Sequence, residues 1–220
     1  AKTDKNIKVI YLNTSFVNAG ISQIEEIRNK LLEFKLSGKP IIAYAEVYSQ
    51  AAYYLASVAN KIYLHPEGIV ELKGLSASVM FYKGLLEKLD IEVQIIRHGK
   101  FKGAVEPFIL DEMSQENREQ IQFFLNSVAD NIMDSIATQR GLTLEKVQWH
   151  ANNLSLENAK SCLDLAYVDA LLYQDQLEGI LKTLSGAKKL SFVTLNKYTH
   201  SKESKKEISR NKIAIIYATG

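Results

Sequence analysis

Apolar positions along this chain alternate between two rhythms, short runs of adjacent apolar residues and longer stretches with apolar residues every three or four. Ile7-Lys8-Val9-Ile10-Tyr11-Leu12 is a β-branched run that predicts a first strand. Ile21, Ile24, Ile27, Leu31 and Phe34 then recur at helical spacing, and Gly38 and Pro40 supply the stop expected after that helix. Ile41-Ile42-Ala43-Tyr44-Ala45 predicts a second strand. Ser49 follows as a helix N-cap, opening a short Ala- and Tyr-rich helix toward Ala59. Short strands are expected over Lys61–Leu64 and Ile69–Leu72, then a helix across Phe81–Leu89 and a buried strand over Ile91–Arg97. Repeated alternation of strand and helix predicts an α/β fold with a mostly parallel sheet built by crossover connections.

In the second half, Ile121, Phe124, Leu125, Val128, Ile132 and Ile136 keep one apolar stripe and predict the longest helix, with Gly141 as its C-terminal stop. Shorter helices are expected over Leu144–Ala151 and Leu156–Leu163, with Trp149 packed between them. A further helix is expected over Asp175–Leu184, and a strand over Ser191–Leu195. The pattern then breaks. Residues 197–211 are polar, mixed in charge and almost without apolar positions, which reads as an exposed linker. Lys212-Ile213-Ala214-Ile215-Ile216-Tyr217-Ala218-Thr219-Gly220 echoes the first strand. One strand buries nothing alone, so a second α/β domain is expected to follow. The organisation expected is an amino-terminal α/β domain (1–196), a linker (197–211) and the first strand of a following domain (212–220).

Composition narrows the function classes. A chain of 220 residues suits one domain with an ample core. The formal net charge of +2 is too small to argue for nucleic acid, and the glutamates of the linker offset its lysines. No run approaches the roughly 20 apolar residues of a membrane span. The opening Ala1-Lys2-Thr3-Asp4-Lys5-Asn6 is no signal peptide. The single cysteine, Cys162, sits among leucines and reads as a small buried hydrophobe. His65, His98, His150 and His200 have no metal-ligand spacing, and no Gly-rich phosphate cradle is present, so no metal or cofactor is expected. Asp130 and Asp134, at i and i+4 on the long helix, read as a solvated face.

The stretch with most chemical promise is His98-Gly99-Lys100-Phe101-Lys102-Gly103-Ala104-Val105-Glu106-Pro107-Phe108. Gly99 and Gly103 bracket Lys102, and Phe101, Ala104, Val105 and Phe108 surround it with apolar groups. Burial disfavours an ammonium, so a desolvated lysine can act as a neutral general base. A solvated surface charge is the commoner use of a lysine, and residue type alone leaves both readings open. Glu106 beside Lys102 would raise its pKa and oppose base catalysis, so its carboxylate is expected to turn away.

Gly99-x-x-Lys102-x-Ala104-Val105-Glu106-Pro107-Phe108 resembles the lysine motif of the signal peptide peptidase A (protease IV) family. The likeness continues through Tyr48–Ser57, Ala59–Pro66, Asp111-Glu112-Met113-Ser114 and Ala166-Tyr167-Val168-Asp169-Ala170, collinear over most of residues 7–220. The resemblance implies a Clp-protease/crotonase-like α/β fold, a repeated β-β-α superhelix with a mostly parallel sheet. It implies a serine endopeptidase of the Ser/Lys dyad type, with Lys102 as general base and the serine supplied by a following domain. Implied substrates are cleaved signal peptides and other unfolded apolar segments. Implied partners are other copies of the chain, as a homotetramer. The membrane is reached through an upstream anchor, which places the domain on the extracytoplasmic side of the cytoplasmic membrane.

Placed against the family's serine-bearing context, Ala51-Ala52-Tyr53-Tyr54 sets Gln50 where the serine would stand. An amide cannot serve as nucleophile. Ser49 is about 100° away around a helix and is better used as the cap. Ser76 and Ser78 lie in a loop, where serines commonly satisfy turns. Two rival readings remain: a non-catalytic assembly domain, motivated by Gln50, and, by fold analogy alone, a crotonase-type acyl-CoA enzyme.

Overall fold

The computed structural model describes residues 1–96 and 102–203, with side chains through residue 200. Its centre is a four-stranded sheet in the order β1 (Ile10–Asn13), β2 (Ile41–Tyr48), β3 (Lys61–Val70) and β4 (Ala170–Leu171), with every neighbouring pair parallel. Helix α1 (Ile21–Lys35) connects β1 to β2, and α2 (Gln50–Ala56) connects β2 to β3. Six further α-helices stand between β3 and the end of the compact region: α3 (Lys83–Lys88), α4 (Glu106–Ile109), α5 (Gln115–Arg140), α6 (Leu144–Asn152), α7 (Ala159–Asp164) and α8 (Gln174–Ser185). This is the α/β architecture that the alternating pattern predicts.

Strand β2 shows why its sequence is a nearly unbroken apolar run. Side chains alternate across a strand. Ile41, Ala43 and Ala45 enter the main core with α1, α2, α5, α6 and α7, while Ile42 and Tyr44 face a second cluster with Tyr63 and with Leu177 and Leu181 of α8. A strand of a parallel sheet covered on both faces has no solvent side to mark with polar residues.

The two short strands expected after α2 are one. β2 and β3 pair as Ala45↔Leu64 and then as Val47↔Ile69, so β3 carries extra residues at an irregularity spanning His65-Pro66-Glu67-Gly68. Pro66 has no N–H for a ladder. At Gly68 the chains press so close that a Cβ would sit 2.4 Å from the Glu46 carbonyl oxygen. The sequence break at these residues is therefore a bulge within a continuous strand.

Two polar nodes, one buried and one half-buried, tie the layers together. Arg28 of α1 is buried, donates from Nη1 to the Tyr54 carbonyl (2.7 Å) and Ser57 Oγ (2.6 Å), and from Nη2 to the Ser135 carbonyl (3.0 Å). Its guanidinium also lies over the Tyr54 ring at 4.6 Å. Burial lowers its pKa below the ordinary arginine value. Asp169, just before β4, accepts from the Ile62 N–H (2.8 Å), Lys61 Nζ (3.2 Å) and Arg140 Nη1 (3.1 Å). It thus clamps the edge of the sheet to the end of α5.

Several expectations are corrected. Residues 91–96 form no strand, and Ile91 and Ile96 are exposed. A strand needs a ladder partner, and the neighbour of β3 at Tyr63 and Leu64 is β4. Arg97, which ended the expected strand, lies outside the described residues. Ser191–Leu195 is likewise not a strand, and Leu195 begins a helix, α9 (Leu195–Glu203), that takes up the first part of the polar stretch. Trp149 is 59% exposed and stacks edge-on with His150 instead of packing between helices. The rest of the polar stretch and the strand expected at 212–220 lie outside the described residues. Among the described residues no helix is long and apolar enough to cross a membrane.

Helix α5 runs from the Ser114 N-cap to Gly141, which adopts the left-handed conformation (φ 66°) that glycine tolerates. Its apolar stripe is continuous, but only the C-terminal half meets the core: Ile132, Met133, Ile136 and Ala137 are buried, while Phe123 and Phe124 are exposed. The N-terminal half stands outside the core among the described residues.

Candidate active site

That outer half of α5 carries the surroundings of Lys102. Gly103-Ala104-Val105 forms a 3-10 turn preceded by Lys102, and the Glu106 N–H closes it onto the Gly103 carbonyl. Pro107 follows at the start of α4, where a missing N–H costs no helical bond. The turn lies against α5 at Gly103, where a Cβ would sit 2.3 Å from Cγ of Asn117. Any side chain at 103 would have to displace the Asn117 carboxamide.

Beside this turn is an open cleft of about 570 Å³, lined by Ile96, Lys102, Gly103, Ala104, Val105, Asn117, Gln120, Ile121 and Phe124. The stripe that the sequence pattern assigns to the core therefore walls the cleft with Ile121 and Phe124. Lys102 is exposed, so the described part of the chain does not desolvate it as the sequence reading expects. Among the described residues, the lining includes no serine, threonine or cysteine. His98, Gly99, Lys100 and Phe101 of the lysine stretch lie outside the described residues.

Glu106 does turn to other partners. It is buried at 1% exposure, the only carboxylate in that class among the described residues. One oxygen accepts from Ser114 Oγ. The other accepts from the Ser114 N–H (3.1 Å) and Asn117 Nδ2 (2.9 Å). Ser114 Oγ in turn caps α5 by accepting from the Asn117 N–H. Sequence reasoning missed this network. A serine before a long apolar-striped helix was the available cap signal, but nothing local says that a glutamate eight residues earlier joins it.

The other candidates separate from the cleft. Ser49 is the N-cap of α2 and accepts from the Ala52 N–H (3.3 Å), the cap role expected of it. Gln50 folds onto the chain after β3: Oε1 accepts from the Lys73 N–H (3.0 Å) and Gly74 N–H (2.9 Å), and Nε2 donates to the Gly74 carbonyl (3.0 Å). At the position where the family pattern would set a serine, this chain has a side chain whose three polar contacts are all structural. Neither Ser49 nor Gln50 lines the Lys102 cleft. Ser76 and Ser78 are exposed in an irregular stretch.

The remaining titratable groups have structural accounts. Cys162 is buried, and burial pushes its thiol pKa up, as suits a small hydrophobe. His150 is buried with its Nδ1 3.1 Å from the Tyr167 hydroxyl; burial, and then the nearby Lys146 charge, lower its pKa. His65 Nδ1 accepts from the Glu67 N–H inside the β3 bulge, and His200 meets the Asn196 carbonyl. Asp130 and Asp134 are exposed, Asp130 accepting from Gln148. Among the described residues no group of three or more His, Cys, Asp or Glu side chains is placed to hold a metal ion.

Comparison with known proteins agrees with this architecture. Residues 33–188 match the model of peptidase family S49. The whole chain is 34% identical to Protease 4 of Salmonella typhi, covering 37% of that protein. It is 31% identical to the chloroplastic serine protease SPPA of Arabidopsis thaliana, covering 33% of that protein. Over 74% of its length it is 37% identical to Protease 4 of Haemophilus influenzae, covering 25% of that protein. The chain thus spans about a quarter to somewhat over a third of the length of these relatives. With a parallel α/β sheet of the Clp-protease-like kind and a family match across more than half of its residues, the chain belongs to peptidase family S49.

Proposed function

We propose that this chain is the lysine-bearing part of a serine endopeptidase of the Ser/Lys dyad type, with Lys102 as general base and the nucleophilic serine outside the chain. The observation that carries the reading is the cleft itself: a lysine just before the Gly103–Val105 turn lines a largely apolar hollow where, among the described residues, no hydroxyl or thiol nucleophile stands. Family membership and the printed names of the relatives support the class of chemistry.

In the proposed reaction the neutral amine of Lys102 takes the proton from a serine hydroxyl as its oxygen attacks a peptide carbonyl. Backbone N–H groups hold the oxyanion of the tetrahedral intermediate. The ammonium then returns the proton to the departing amine, and water releases the acyl group by the same route. Lys102 is exposed in this chain, so the desolvation that keeps its amine neutral would come from the serine-bearing part closing over the cleft. The apolar wall of Ile121 and Phe124 suits unfolded apolar segments, of which cleaved signal peptides are the substrates we propose.

The same reading extends to organisation. Copies would assemble as a tetramer, and an upstream anchor would hold the domain on the extracytoplasmic side of the membrane. Hydrolysis of a fluorogenic apolar peptide by the intact protein, wild type beside Lys102→Ala, tests the central claim. Collapse of the rate with folding unchanged supports it, and a wild-type rate removes Lys102 from the chemistry.

One observation favours a second reading, a non-catalytic assembly domain of the same fold. Gln50 stands in the serine position and is fully engaged by the 73–74 backbone. Under that reading Lys102→Ala has no effect on hydrolysis.

A further inference from the structure

The proposed base sits on an exposed turn, yet a base must be held to within a fraction of an ångström to be useful. Something must fix that turn. Two structures hold it against α5, and both pass through the same pair of side chains. Asn117 packs against Gly103, the residue that follows Lys102, with no room for even a Cβ between them. The Asn117 carboxamide also donates to Glu106, four residues after Lys102 and joined to Gly103 by the turn's own hydrogen bond.

Among the described residues, Glu106 accepts from the Ser114 N–H, Ser114 Oγ and Asn117 Nδ2, in the first turn of a 26-residue helix and its cap. A carboxylate is an acceptor only, and three converging donors match its ionised form. The positive end of the α5 dipole favours the same state. Burying an acid this deeply is costly unless donors meet it, and these three do. An alanine at 106 would serve the turn as well, if the turn only had to exist.

Resting on the assignment of Lys102 as general base, we propose that Glu106 and Asn117 are positioning residues that lock the Lys102 turn to the start of α5. Glu106 is not in the cleft lining; Asn117 is, and the role proposed for both is positional. Their work is to hold Lys102 in one place on the cleft wall.

The test compares four variants in the intact protein against one fluorogenic apolar peptide, well below each variant's melting temperature: Lys102→Ala, Glu106→Gln, Asn117→Ala and Leu177→Ala. Glu106→Gln keeps the shape but turns an amide donor toward donors. Asn117→Ala removes one bond and the Gly103 contact while leaving Glu106 charged. Leu177, fully buried under the far face of the sheet, is a control that loses stability without touching the turn. The expected result is a fall in kcat of roughly tenfold for Glu106→Gln and Asn117→Ala with KM within about twofold, and an unchanged kcat for Leu177→Ala despite its lower melting temperature. If Glu106→Gln does not fold, Asn117→Ala decides. Wild-type kcat in the two turn variants beside a dead Lys102→Ala overturns the positioning role and leaves the base assignment intact. Wild-type kcat in Lys102→Ala overturns the base assignment itself, and the positioning role with it.

Discussion

The Gln50 carboxamide grips Gly74 from both sides, its oxygen accepting the Gly74 N–H at 2.9 Å and its nitrogen donating to the Gly74 carbonyl at 3.0 Å. With the Lys73 N–H also bound, the side chain ties the start of α2 to the segment leaving β3. The position where family resemblance would set a nucleophile is here a fastening. Gln50→Ser removes all three bonds, because a serine hydroxyl is too short to span them. We expect a loss of about 1–3 kcal/mol in unfolding free energy by denaturant titration, and no gain of peptidase activity. An increase in hydrolysis that Lys102→Ala abolishes would show that the two positions do meet.

Arg28 is the central pin between α1, α2 and α5. Arg28→Ala removes three hydrogen bonds from buried and part-buried acceptors and leaves a cavity, and we expect about 3–5 kcal/mol of destabilisation. Arg28→Lys recovers only part of this, because an ammonium cannot reproduce the planar fork that reaches Tyr54, Ser57 and Ser135 together. Equal stability of the lysine variant and wild type in a thermal melt would refute the account.

The β3 bulge depends on Gly68. In Gly68→Ala the new methyl meets the Glu46 backbone oxygen at 2.4 Å and the His65 oxygen at 2.9 Å, and neither backbone group can swing away as a side chain would. The expected cost is about 2–4 kcal/mol, in the range of severe overpacking. Calorimetry on the variant measures it directly.

Two groups contribute to the pH dependence of stability in separate windows. Burial by itself would raise the Asp169 carboxyl, but the Ile62 N–H and the Arg140 and Lys61 charges prevail and hold its pKa below the ordinary 3.8. A depressed carboxylate contributes fully above its unfolded-state value and loses that contribution as pH falls through the folded value, so this loss lies below about pH 4. His150 is depressed below 6.5 by burial and then by Lys146. Its neutral form is the stable one in the fold, so stability is full above 6.5 and declines as pH falls from there toward the lowered value. Denaturant titration across pH should show two declines. His150→Gln should diminish the upper one and Asp169→Asn the lower; an undiminished decline in either variant would contradict the assignment.

Much of the fold was legible in the chain. Helical spacing located α1 and α5, Ser49 announced the start of α2, and Gly141 the end of α5, because caps and periodicity act between residues a few positions apart. The same local reading fails at Ile91–Ile96 and Ser191–Leu195. Both have the composition of strands, but a strand is decided by the partner beside it, and β4 occupies that place next to β3. The apolar stripe of α5 fails differently. Its period is right, yet periodicity cannot say which half meets the core and which walls a cleft.

By itself, then, the sequence determined the α/β class, most helix positions, and the prominence of Lys102 within a glycine-bounded motif. Tertiary structure alone decided that Lys102 stands exposed on a turn pressed to α5, that Gln50 is tied to Gly74, and that Glu106 is buried among donors from Ser114 and Asn117. The physical reason is that hydrogen-bond closure and burial depend on groups brought together from distant elements. Gln50 and Gly74 are 24 residues apart, and no local pattern records which backbone N–H groups a side chain will reach once the sheet has formed.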